Sequence, residues 1–189
     1  MTTTSSTPAF SPELTGNYTF DPAHTRLGFV ARHAMVTKVR GAFKTFDGSA
    51  HIDSENPSNS TVSLSIDVAS VDTGNEQRDD HLRTNDFFDV ANYPKITFQS
   101  TGIELVSDDQ FKVTGDLTIR GVTQSVTLDL EYSGSAKDAY GNDRIGFEGS
   151  TVLNRKDFGV TWNAALEAGG VLVSEKVTLE VDISAIKAA

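Results

Sequence analysis
The chain of 189 residues reads as all-β, an eight-stranded antiparallel up-and-down barrel with one short capping helix. Three observations lead there. Apolar and polar residues alternate with a period of two through most of the chain, as in strands with one buried face. The runs are about ten residues long and follow one another through short turns, whereas sandwich strands are usually shorter. Glycines fall inside several runs, where a small barrel needs bends. One stretch breaks the pattern. Residues 71–94, VDTGNEQRDDHLRTNDFFDVANYP, read as helix around 73–90.

Residues 1–15 are rich in Ser, Thr and Pro and read as a flexible tail, with 16–186 as a single domain. From Tyr18 the pattern settles. Leu27, Phe29 and Ala31 share one face, and Val39, Gly41 and Phe43 continue an apolar face. The parity switches at Thr45, and Phe46, Gly48, Ala50 and Ile52 carry it on. Such a switch is what a bulge or bend produces, and Gly48 would ease it. After the polar loop 53–60, Val62, Leu64, Ile66 and Val68 alternate with polar residues.

In the central stretch, Thr73 and Glu76 fit a capping box, a second start follows at Asp86, and Pro94 ends it. Leu82 is the only large apolar residue before Phe87 and Phe88. A helix this polar suits a lid, its two phenylalanines turned inward and Arg78, Asp79, Asp80, His81 and Arg83 at the rim.

Beyond it, Ile96 and Phe98 begin a strand that Ile103 and Leu105 finish on the other parity, with Gly102 as a bulge. Turns are expected at 107–110, 120–121 and 137–143. Between them lie the alternating runs Phe111, Val113, Leu117, Ile119 and Val126, Leu128, Leu130, Tyr132. Ile145, Phe147, Thr151 and Leu153 form another inward face. The irregular segment 154–170 holds the single tryptophan, Trp162. Val171 and Val173 are expected to open the last strand, and Val177, Leu179, Val181 and Ile183 to finish it.

Composition narrows function. A net charge of −10 disfavours a nucleic-acid surface and electrostatic docking to anionic lipid. With no cysteine there is no disulfide framework and no thiolate chemistry. No apolar run approaches the roughly 18 residues of a membrane-spanning helix. The N-terminus has neither a basic start nor an apolar core, so it does not read as a secretory signal, and a cytoplasmic location is expected. The histidines do not cluster with ligand spacing. His24 and His33, nine apart, would face opposite sides of an unbroken strand, so no metal is expected. There is no nucleophile elbow, phosphate loop or paired-carboxylate signature, and no catalytic residue is assigned.

Several pieces together are specific: FDPAHTRLGFVARH at 20–33, GAFKTFDGSAHID at 41–53, GDLTIRGVTQSVTLDL at 115–130, NRKDFGV at 154–160, and the long central piece from 66 to 101 carrying RDDHLRTNDFFD and YPKITF. In these the chain resembles the YceI-like family, lipocalin-like proteins that bind polyisoprenoids and related lipids, over nearly the whole domain. The resemblance implies an eight-stranded barrel, a capping helix and a lipid in the lumen. An arbitrary barrel would pack its aromatics into a solid core, and the resemblance turns that expectation into a lined tunnel. Phe29, Phe43, Phe46, Phe87, Phe88 and Phe98 would line it, with Leu64, Ile66, Leu117 and Ile119, and with Phe147, Phe158 and Trp162 from the C-terminal half. His24, His33, Arg78, His81 and Arg155 are candidates for contact with a ligand head group. Alternatively they are clamps that fix the lid through loop carbonyls.

Strands of about ten residues at about 3.3 Å, tilted near 40°, give a barrel about 25 Å tall, enough for one acyl chain or part of a prenyl chain. At about 0.8 kcal/mol per buried CH₂, about fifteen groups give roughly 12 kcal/mol before ordering and association costs, leaving a net affinity near micromolar or below. The first expectation is therefore a non-enzymatic protein that binds, stores or transports an isoprenoid, a quinone or another long-chain amphiphile, with no other cofactor. The alternatives are an enzyme acting on such a lipid through His, Arg and Asp at the mouth, and an interaction module with a solid barrel. A homodimer is an expectation by family analogy.

Overall fold
The computed structural model describes residues 11–166 and 170–188. Its elements run in the order β1 (Gly16–Phe20), β2 (Arg26–His33), β3 (Thr37–Phe43), β4 (Phe46–Ile52), β5 (Thr61–Asp67), β6 (Val71–Asp72), α1 (Glu76–Arg83), β7 (Lys95–Ser107), β8 (Gln110–Ile119), β9 (Val122–Lys137), β10 (Asp143–Asn154) and β11 (Lys176–Lys187). Neighbours pair antiparallel, and the ring closes at β11. One of its edges pairs with β10, and the other takes β2 near its start and β1 near its end. Eleven segments make eight barrel strands because three are broken, β1 from β2, β3 from β4 and β5 from β6.

The breaks are bends with their hydrogen bonds satisfied. Between β1 and β2, the Asp21 amide and the Thr25 hydroxyl both donate to the Ser184 carbonyl, and the Ser184 amide donates to Thr25 Oγ1. A threonine hydroxyl thus replaces a missing rung of the ladder. Between β3 and β4, at the expected parity switch, the amides of Lys44 and Thr45 both donate to Ser70 Oγ. Just beyond, the Phe20 ring lies so close over Gly48 that a Cβ there would collide with it. The bulge at Gly102 is also present, as a register shift between Ser100 and Gly102.

Four expectations change. The helix is shorter than 73–90, because α1 ends at Arg83 and residues 84–94 are turns without a second helix. Its cap is Asn75, whose side chain accepts from the Arg78 amide. Thr73 cannot serve, because its hydroxyl donates to Asp79 and accepts from Arg78 Nε. Leu105 is exposed because a second register shift follows it, before Ser107. Val171 and Val173 make only isolated bridges, to Ala165 and His33, and the last strand starts at Lys176.

Of the expected tail, residues 1–10 lie outside the described residues. Residues 12–14 form a 3-10 turn, and Leu14 is buried, with the Tyr18 hydroxyl donating to its carbonyl at 2.8 Å. This turn lies with the 53–60, 108–109 and 137–143 connections at one end of the barrel. The other end, the helix end, carries the 34–36 turn, α1, the 120–121 turn and the segments 155–166 and 170–175.

Candidate functional site
The alternation that builds the strands also builds the site. It sends one side chain in two inward, and in a barrel of eight strands the inward set need not meet across the axis. Here it leaves a cavity of about 280 Å³. Inward residues such as Leu64, Leu128, Leu179, Val181 and Ile183 remain only partly buried, because they border that space. The lumen is not filled, contrary to the solid-core alternative. An apolar cavity of about 150 Å³ already stays dry and admits benzene. Among the described residues, Arg155 and His51 are the only titratable side chains on the wall, which is otherwise hydrocarbon apart from Gly28, Ser60 and Thr61.

The helix end is roofed from the central stretch. Leu82 of α1, and Phe87 and Phe88 in the turns behind it, all face the cavity. Phe88 packs edge-on against Phe43, centroids 5.9 Å apart, and Phe43 against Phe29 at 5.7 Å, so an aromatic seam joins lid to wall. The lid's polar residues mostly grip its own backbone. Arg83 donates to the carbonyls of Ala69 and Val71 and pairs with Asp80. Arg78 donates to Thr73 Oγ1 and to the Thr73 carbonyl, both at 2.7 Å. His81 Nε2 meets Asp86 at 2.8 Å, and its ring packs against Phe87 and Trp162. Besides the bond from Arg83 to Val71 of β6, another joins lid and barrel: Arg120 donates to the Phe87 carbonyl at 3.0 Å.

Of the expected lumen residues, Phe29, Phe43, Leu64, Ile66, Phe87 and Phe88 line the cavity, as do Phe98, Leu117, Ile119, Phe147 and Phe158. Phe46 does not. It starts β4 just after the break, opposite Ile66, and is packed into the core. Trp162 does not either, because its ring lies on His81 and Phe87, on the outside of the lid.

The head-group candidates scatter. His24 is exposed on the β1–β2 bend beside Asp21, and His33 is exposed at the tip of β2. Arg78 and His81 bond within the lid as described, which is the clamping alternative. Arg155 alone reaches the cavity. It is 7% exposed and donates to the carbonyls of Ser174 (2.8 Å), Val160 (2.8 Å) and Val173 (3.3 Å). Burial pushes its guanidinium below the ordinary value, and the charge of Glu175 opposes that only in part.

With this geometry in view, a family model described as the YceI-like domain matches residues 18–185. The chain belongs to the YceI-like family. Curated relatives from Staphylococcus aureus, named UPF0312 proteins, are 38% identical over 165 residues, covering 87% of this YceI-like chain and 94% of theirs. Among solved structures, BcnA of Burkholderia cenocepacia superposes with a TM-score of 0.77 at 26% identity, covering 87% of this chain and 98% of BcnA. A YceI protein of Campylobacter jejuni gives 0.72 at 31% identity, over 84% of this chain and 90% of its own. A polyisoprenoid-binding domain from Saccharophagus degradans shares the YceI-like fold at 0.67 and 18% identity, over 90% and 98%.

Among the lining residues that the sequence reading did not assign to this YceI-like site, three groups are instructive. The first is the inward face of β11, where Val177, Leu179, Val181 and Ile183 form one wall. Their alternation was visible and could have placed them. The second is Leu82, whose isolation on a polar helix was the signal. The third is Val160, on irregular backbone without a periodic signal, and Val173, whose alternation reads as strand although it makes only an isolated bridge.

Proposed function
We propose that the protein binds one long apolar chain, that of an isoprenoid, a quinone or another long-chain amphiphile, along the barrel axis, as a carrier or store without chemistry of its own. The observation behind this is the continuity of the cavity. Wall residues from β2 to β11 and three lid residues contribute to one hydrocarbon lining, and the lid carries its polar groups outside. An apolar chain entering such a space replaces water contacts at about 25 cal/mol per Å² of buried surface. The polyisoprenoid-binding domain of Saccharophagus degradans is a precedent for the fold. The lid is the natural gate, because, among the described residues, few polar bonds tie residues 82–88 to the barrel: those from Arg83 to the carbonyls of Ala69 and Val71 and the one from Arg120 to Phe87.

The test is native mass spectrometry of freshly purified protein, followed by organic extraction and identification of the released species. A one-to-one adduct that leaves as a prenyl, quinone or acyl molecule is the expected result. An unliganded mass, with no saturable uptake of prenyl quinone or fatty acid, overturns the reading.

A further inference from the structure
Among the described residues, one buried charge in the cavity wall has no counter-ion in contact. Arg155 opens the 3-10 turn Arg155–Phe158 at the end of β10 and faces the lumen at its lidded end. Its guanidinium carries five N–H donors. Three go to the carbonyls of Ser174, Val160 and Val173, which, among the described residues, leaves one on each Nη. Carbonyl dipoles satisfy hydrogen bonds, but they do not neutralise a unit charge. Among the described residues no carboxylate comes within 4 Å of Arg155. The nearest acidic influence, Glu175, is engaged by Lys156 at 2.7 Å. The other buried side chain of an acid or base at this end, Asp79, is held by the Thr73 amide and hydroxyl outside the cavity. So the lidded end of a hydrocarbon lumen presents a buried, forked cation. Fixed forks of this kind bind carboxylates and phosphates bidentately.

We propose that Arg155 selects amphiphiles with an anionic head, a carboxylate or a phosphate ester, with the head at the guanidinium and the chain running toward the far end of the barrel. This rests on the binding of an apolar chain in the lumen argued above and adds the class of head group. A neutral head would leave the charge uncompensated. An anionic one would convert it into a buried pair with charge-assisted hydrogen bonds.

The test is a head-group series at constant chain length, measured by isothermal titration calorimetry on the full chain: dodecanoate, dodecyl phosphate, 1-dodecanol and methyl dodecanoate. At least one anion is expected to bind about tenfold or more tighter than the alcohol and the ester, the size of a charge-assisted hydrogen bond. Comparing the two anions separates a fatty acid from a phosphorylated lipid. In Arg155→Gln the preference should collapse to within about twofold while the alcohol still binds, and Arg155→Lys should restore part of it. If Arg155→Gln does not fold, the wild-type series decides alone. Equal affinity across the series in wild type overturns the inference and leaves chain binding intact. If none of the four binds, the lumen reading fails and this one fails with it.

Discussion
The two ends of the barrel are closed by different physics. At the far end, Arg144 reaches across the surface to Asp138 at 2.7 Å, to Asp21 at 2.7 Å and to Ser184 at 3.3 Å. These bonds tie the β9–β10 turn, β11 and the β1–β2 bend into one unit. Beneath them Tyr18, 1% exposed, packs in the core and holds Leu14. At the helix end most polar residues bond within the lid, and beside the bonds of Arg83 to Val71 and of Arg120 to Phe87 the contact with the barrel is a seam of aromatic rings. Directional bonds between separate strands favour a fixed closure. Non-directional apolar contacts favour one that can open and reseal. The difference suits a vessel with a base and a gate.

The largest expected effect comes from truncating one aromatic at each end. Tyr18→Ala should cost about 3–5 kcal/mol of unfolding free energy in urea, as for a large buried aromatic, with no selective effect on ligand release. Phe88→Ala, at the lid, should cost less stability and raise the dissociation rate of a bound dodecyl amphiphile about tenfold, read by stopped-flow displacement. Equal stability losses and unchanged release would remove the distinction between base and gate.

An intermediate effect should appear in acid. Hydrogen bonds from Arg144 first, and then from His24, hold the Asp21 carboxyl down from 3.8 to about 2. The Asn142 amide first, and then Arg144, hold Asp138 below the usual carboxylate range. A depressed folded-state pKa gives stability that is present above the unfolded value and lost as the pH falls through the folded one. The far end should therefore contribute fully above about pH 4 and weaken as the pH falls toward 2. Urea midpoints across that window should fall with pH in the wild type and depend less on pH in Arg144→Gln.

The smallest effect belongs to the lid's outer face. Asp80 is 69% exposed where it pairs with Arg83. Asp80→Asn should shift stability by less than about 0.5 kcal/mol and leave ligand release unchanged. A larger shift would mean that the lid's self-bonding matters to the closure.

Much of this is legible in the sequence, and for identifiable reasons. Residues 110–119 alternate without interruption, so the burial of Phe111, Val113 and Leu117 followed from period alone. The change of parity at Thr45 and the glycine at 102 marked irregularities that are present. The lid was readable as an excess of charge around one leucine and a phenylalanine pair. The helix cap was misplaced because several residues near its start can cap. Thr73 lost to Asn75 when Asp79 and Arg78 took its hydroxyl, a choice made by packing.

The sequence by itself determined the strand pattern, the turns, the location of the lid and the family, because these depend on local periodicity and on motifs that are contiguous in the chain. Only the tertiary structure decided which inward residues face empty space. Phe46 and Phe43 are three residues apart and both lie on an apolar face, yet one fills a corner and the other lines the lumen. Tertiary structure also singled out Arg155 from five candidate residues of similar chemistry. Whether a cation is solvated, clamped or left facing a cavity depends on which backbone carbonyls the fold brings to it, and those of Val160, Val173 and Ser174 come from outside the regular strands.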